Sequence, residues 1–132
     1  MTTTTPDQIR LSGLSARGYH GVLPFERTEG QLFTADVTLD LGERGTAVAS
    51  VTDAVKDAVD YSEVARAVVA VIEGEPVSLI ETLAARVSET VLAFPRVTAV
   101  EVTIHKPQAP LDVAFEDVSV TIHRTGGEGG HP

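Results

Sequence analysis

The segment Phe33-Thr34-Ala35-Asp36-Val37-Thr38-Leu39-Asp40-Leu41 alternates apolar and polar residues without a break. Period-two alternation puts every apolar side chain on one face of a strand and the Thr and Asp side chains on the other. A chain with such a segment must cover one face with an apolar layer and keep the other wet. Three more segments carry the same pattern. Ile9 and Leu11 alternate with Arg10 and Ser12; Val100, Val102 and Ile104 with Glu101, Thr103 and His105; Val118, Val120 and Ile122 with Ser119, Thr121 and His123. In the first of them the apolar phase slips by one after Gly13, to Leu14 and Ala16, which predicts a β-bulge at the glycine.

The covering layer is read from two helical stripes. Val64, Val68 and Ile72 fall at i, i+4 and i+8, with Asp60 and Glu63 at the N-terminal end and Gly74 as the stop. Ile80, Leu83, Val87 and Val91 form the second stripe, which Pro95 ends. Ser78-Leu79-Ile80-Glu81 reads as a capping box before it. The short connection holding Pro76 predicts antiparallel neighbours. Arg17–Glu26 reads as a loop, residues 42–60 show no firm period, and Lys106–Pro110 reads as a stiff loop. The order ββααββ predicts an α+β domain: a four-stranded, mostly antiparallel sheet with two helices on one face. Residues 1–8 read as a flexible arm, 9–124 as the single domain and 125–132 as a disordered tail. The polar sheet face suits solvent, or a wet lumen if several sheets join edge to edge and so remove their open edges.

Composition removes whole classes of function. With 0 Cys there are no thiol nucleophiles, thiolate metal sites or disulfides. Ten Lys+Arg against 19 Asp+Glu, a formal charge of -9, argue against a nucleic-acid partner. No apolar run approaches the ~20 residues of a membrane span, and Met1–Pro6 has no signal-peptide character, so the expectation is a soluble cytoplasmic protein with no membrane partner. His20, His105 and His123 form no metal-ligand spacing, and no metal is expected. There is no phosphate-binding glycine loop and no Gly-x-Ser-x-Gly elbow.

Four residues stand out for chemistry. Lys106 continues the parity of Val100, Val102 and Ile104, so its amine is expected at the rim of the core, where partial desolvation lowers a lysine pKa; the bland alternative is a strand-end lysine reaching water. Glu81 is either the capping-box partner of Ser78 or a carboxylate presented at a helix N-terminus, suited to two parallel N–H groups. Tyr61 is either a core tyrosine or a phenol aimed at a substrate, and Glu26 by itself reads as a solvated charge.

The blocks Gly18-Tyr19-His20-Gly21-Val22-Leu23 with Glu26 and Gly30-Gln31, Asp60-Tyr61-Ser62-Glu63-Val64, Leu79-Ile80-Glu81-Thr82-Leu83-Ala84 and His105-Lys106-Pro107-Gln108-Ala109-Pro110 stand in this order. Together they resemble dihydroneopterin aldolase of the folate pathway, from about Ile9 to Arg124. The resemblance implies the tunnelling fold: a homo-oligomer of four-membered rings, two of them stacked as an octamer, with active sites between neighbouring subunits. It implies a metal-free and Schiff-base-free retro-aldol reaction on a pterin, with no cofactor. By the same resemblance Lys106 is the general acid/base. Glu81 anchors the pterin, with the backbone around Val59 and Ile80 completing the ring contacts. Tyr61 lies by the side-chain hydroxyls, Glu26 belongs to the network at the reacting end, and His20 shapes its loop. Epimerisation at C2′ is a companion activity of such a site. A dihydroneopterin triphosphate epimerase and a non-catalytic pterin-binding ring scaffold are the alternatives.

Overall fold

The computed structural model describes residues 5–126. In chain order these form β1 (Gln8–Gly18), α1 (Pro24–Glu29), β2 (Gln31–Asp40), α2 (Ala47–Thr52), a single 3-10 turn (Val55–Asp57), α3 (Tyr61–Glu73), α4 (Ile80–Leu92), β3 (Ala99–His105) and β4 (Ser119–Thr125). The four strands make one sheet in the order β1-β2-β3-β4, every neighbour antiparallel. This is the predicted α+β arrangement.

The alternation in β2 sets the layers. Phe33, Ala35, Val37 and Leu39 are fully buried, as are Val100, Val102 and Ile104 of β3 beside them. Over that face lie α3 and α4, whose buried positions Val64, Val68, Ile72, Leu83, Val87 and Val91 are the stripes seen in the sequence. Asp60 caps α3, its carboxylate accepting the N–H groups of Ser62 and Glu63. The bulge falls where the phase slip put it: the β1–β2 register shifts between Leu11 and Leu14, Gly13 has a φ of 73°, and its N–H donates to Asp36 over 2.8 Å.

The local differences have physical reasons. The segment read as a loop up to Glu26 holds the start of α1, because Pro24 at the first helical position fixes φ and gives up a donor that the helix does not need. Residues 47–57 hold α2 and the 3-10 turn with no buried side chain, which is why no apolar period showed. The capping box at Ser78 does not form. Leu79 is the N-cap of α4 with no side-chain bond, and the Ser78 hydroxyl instead accepts from Arg27 at 3.2 Å.

At the chain ends, Asp7 bonds to Gly42, Leu41 and Thr46, and β4 runs through Thr125. The rest of the expected tail (127–132) and residues 1–4 of the expected arm lie outside the described residues. Among the described residues no helix is long and apolar enough to cross a membrane, and no group of three or more His, Cys, Asp or Glu is placed to hold a metal ion.

Candidate active site

Three separate segments meet at one end of the helical layer. β3 ends at His105, and Lys106 adds one more rung to the sheet, its N–H donating to the Val118 carbonyl over 2.7 Å. That rung keeps the parity of Ile104, so the Lys106 side chain turns toward the helices. There its Nζ meets Glu26 Oε2 at 2.8 Å, with the lysine side chain 13% exposed and the glutamate side chain 1%. The strand-end lysine reaching open water is therefore not what forms; the amine sits at the rim of the core against a carboxylate.

Glu26 is the third residue of α1 and is buried, contrary to its reading as a solvated charge. Its position is overdetermined. Oε1 accepts the N–H of Leu23 at 3.1 Å, and Oε2 accepts the side-chain amide of Gln31 at 3.0 Å. Burial pushes the Glu26 carboxyl up, but the bonds from Lys106, Leu23 and Gln31 outweigh it and leave it below the ordinary carboxylate value. Gly21 leaves room for this carboxylate: its φ is 146°, and a Cβ there would come within 2.2 Å of Glu26 Oε1.

His20 holds the loop that carries these residues. It is buried, with Nε2 2.7 Å from the Ile72 carbonyl and Nδ1 3.1 Å from the Val77 N–H. An N–H donor can only meet an acceptor nitrogen, so Nδ1 accepts and Nε2 carries the proton. Burial pushes the imidazole below its ordinary value, against the pull of the Ile72 carbonyl. Gly18 must lack a side chain here, since a Cβ would lie 2.7 Å from the His20 ring and 2.9 Å from the Ile72 carbonyl oxygen.

Beside the Lys106–Glu26 pair opens a groove of about 460 Å³. Its walls are apolar (Val22, Leu23, Leu79 and Leu111 among them), and Lys106 is the only Lys or Arg in its lining. Ile80 and Glu81 form the side made by α4. Glu81 is exposed and makes no hydrogen bond or ion pair among the described residues. Its carboxylate is therefore free for a ligand at the positive end of a 13-residue helix.

The groove brings together Glu26, Glu81, Ile80 and Lys106 of the residues expected from the sequence. Tyr61 and Val59 are not in its lining. α3 and α4 run back on one another, so Tyr61, at the start of α3, is about a 13-residue helix length (~20 Å) from the end where α4 begins. Tyr61 is 58% exposed, whereas Val59 is buried as part of the core. Gln31 had no assigned part, although its parity with Phe33 and Ala35 marks a polar residue on the core-facing side of β2.

The family model for dihydroneopterin aldolase (FolB) matches residues 9–123. A dihydroneopterin aldolase from Streptomyces coelicolor is 50% identical over 119 residues, covering 90% of this chain and 98% of that protein. The Vibrio cholerae FolB crystal structure superposes with a TM-score of 0.82 at 26% identity, covering 92% of this chain and 98% of the other. The Escherichia coli dihydroneopterin aldolase in complex with neopterin does so with a TM-score of 0.79 at 29% identity, covering 89% and 98%. With its helical layer, its Lys106–Glu26 pair and its Glu81-walled groove, this chain belongs to the dihydroneopterin aldolase family of folate-pathway lyases.

Proposed function

We propose that the groove binds the pterin of 7,8-dihydroneopterin and that the chain cleaves it to 6-hydroxymethyl-7,8-dihydropterin and glycolaldehyde. The observation that carries this reading is the buried Lys106–Glu26 pair at 2.8 Å beside a carboxylate, Glu81, that has no partner among the described residues. Glu81 takes the pterin N3–H and 2-amino group as a fork. The Ile80 and Glu81 N–H groups, without backbone acceptors at the start of α4, face the same edge of the ring. The apolar walls cover the faces of the flat bicycle.

The substrate carries a C=N bond next to its side chain. That bond accepts the electron pair when C1′–C2′ breaks, the C2′ hydroxyl loses its proton to become the aldehyde, and C1′ of the resulting enamine gains one. The protein supplies orientation and proton transfers. Lys106 delivers and recovers the proton at N5. Glu26 holds the ammonium at the reacting end rather than moving freely in water. A substrate triphosphate would meet no Arg in the groove lining, which favours the unphosphorylated substrate over the triphosphate epimerase reading.

Tyr61 and the backbone at Val59 enter the site from a neighbouring protomer. Tyr61 is exposed, β1 and β4 are open edges, and Phe25, Val113 and Phe115 add exposed apolar surface. Edge pairing into a four-membered ring, with two rings stacked, covers all of these. A soluble pterin substrate makes the cytoplasm the working compartment.

The test is product analysis with 7,8-dihydroneopterin: glycolaldehyde and 6-hydroxymethyl-7,8-dihydropterin appear in equal amounts. Pterin binding without glycolaldehyde returns the protein to a scaffold role. For the shared site, inactive Tyr61→Ala and Lys106→Ala proteins regain activity when unfolded and refolded together, and no regain contradicts a site built from two protomers.

A further inference from the structure

The imidazole of His105 lies on the opposite side of the sheet from the groove, between two carboxylates. Its Nε2 is 2.7 Å from Asp36 Oδ2 and its Nδ1 is 2.7 Å from Asp117 Oδ2. A neutral imidazole has one donor, so both short contacts are hydrogen bonds only when the ring carries two protons. Asp36 belongs to β2, and its other oxygen accepts the N–H of the Gly13 bulge at 2.8 Å. Asp117 immediately precedes Val118 and β4. The ring thus ties the β1 bulge, β2 and β3 to the point where the chain returns from its 106–118 excursion.

That excursion makes part of the groove. Lys106 opens it; Ala109, Pro110 and Leu111 line the groove on the way out, and Val118 lines it on the return. Its two ends are joined by the Lys106 N–H to Val118 carbonyl bond, and each end is flanked by one member of the His105–Asp117 pair. Among the described residues the Lys106 side chain has one partner, Glu26. Its backbone is held by its own N–H bond to Val118 and by the Ala109 N–H on its carbonyl, and the His105–Asp117 pair flanks the first of these.

We propose that His105, as an imidazolium clamped between Asp36 and Asp117, is a positioning residue that holds the Lys106–Val118 excursion closed and so places the Lys106 amine in the groove. The proposal rests on Lys106 being the acid/base of the reaction above. The charged groups facing the ring are Asp36 from β2 and Asp117 from the segment before β4; its cross-strand neighbours Thr34 and Ser119 are neutral, as are Gly13 and Ser15 of β1. The bonds from Asp117 and Asp36 both raise the His105 pKa against the opposing effect of burial. The clamp is complete below the ordinary imidazole value and opens as the pH rises through the raised one.

The experiment compares His105→Gln and Asp117→Asn with the unmodified protein, using steady-state kinetics and hydrogen exchange from about pH 6 to about pH 9. In both variants kcat falls about ten- to a hundredfold, more than KM rises, because Glu81 on α4 is untouched while Ala109–Leu111 of the loosened loop line the groove. Exchange over residues 107–117 speeds up at the lower pH in both variants. In the unmodified protein the same segment loses protection as the pH rises, and in His105→Gln that pH dependence is gone. The double variant is no worse than the worse single one.

Unchanged kcat with unchanged exchange in folded His105→Gln and Asp117→Asn proteins overturns the proposal. So does equal slowing at both pH values without any change in loop exchange. A Lys106→Ala protein assayed in parallel separates the two claims. If that protein turns over normally, the acid/base reading has failed. If it is inactive while the His105 and Asp117 variants are normal, only the clamp has failed.

Discussion

Lys106 and Glu26 are 80 positions apart in the chain, yet their charged groups are 2.8 Å apart in a site that admits little water. One residue directly follows β3 and the other belongs to the short helix α1, so the pair joins the sheet to the loop over its end. An ion pair this buried is costly to form and costly to break from one side. Lys106 itself, Leu23 and Gln31 offset the desolvation of Glu26, and the last two also fix where the carboxylate meets the lysine. The site is thus built around an anion whose place is set by backbone geometry.

Gly21→Ala tests that geometry without removing a charged group. The new methyl lies 2.2 Å from Glu26 Oε1 at a φ that L-residues rarely adopt. The expected outcome is a loss of about 2 kcal/mol or more of stability by urea unfolding and a fall in kcat larger than any change in pterin binding. A fully active, equally stable variant contradicts the tight fit.

Acid removes stability through Glu26. Its folded pKa is below the ordinary carboxylate value, so the folded state binds fewer protons there than the unfolded state. The contribution is present above about pH 4.3, the unfolded value, and is lost as the pH falls through the depressed folded value. His20 adds the same sign at higher pH. Its folded pKa is lowered by burial, so its contribution is full above about pH 6.5 and declines as the pH falls from there toward the folded value. His105 has the opposite sign: its folded pKa is raised, and its contribution is present below about pH 6.5 and lost as the pH rises through the folded value. Urea unfolding of His20→Gln and His105→Gln across this range separates the two: the first flattens the acid side of the stability profile, the second the alkaline side.

Glu81→Ala distinguishes a binding residue from a helix cap. Glu81 is exposed and makes no hydrogen bond or ion pair among the described residues, so stability changes by no more than about 0.5 kcal/mol. Pterin affinity falls by about 2–3 kcal/mol, the cost of leaving two ring donors without their charged acceptor. Fluorescence titration and thermal unfolding measure the two sides. Unchanged affinity with a lower Tm returns Glu81 to a capping role.

The frame of the fold was readable because one physical rule, alternation on a half-buried strand, operates along β2 and β3 and through the phase slip at Gly13. The same rule put Lys106 on the helical side of the sheet. It could not pair Lys106 with Glu26, because a contact over 80 positions leaves no periodic trace. Glu26 looked solvated because a lone acid in a glycine- and proline-bearing segment usually is. The Ser78 capping signal misled because the Arg27 side chain took the hydroxyl and α4 started at Ile80 instead. His105 was legible only as a polar residue on the wet face and Asp117 not at all, since their pairing depends on how the 106–118 segment returns to the sheet.

The most direct measurement is a paired assay on Lys106→Ala: glycolaldehyde release from 7,8-dihydroneopterin, and pterin affinity by fluorescence titration. Turnover is lost by at least about a hundredfold while affinity stays within about tenfold of the unmodified protein. Glycolaldehyde released at an undiminished rate contradicts the assignment of the amine as the proton carrier.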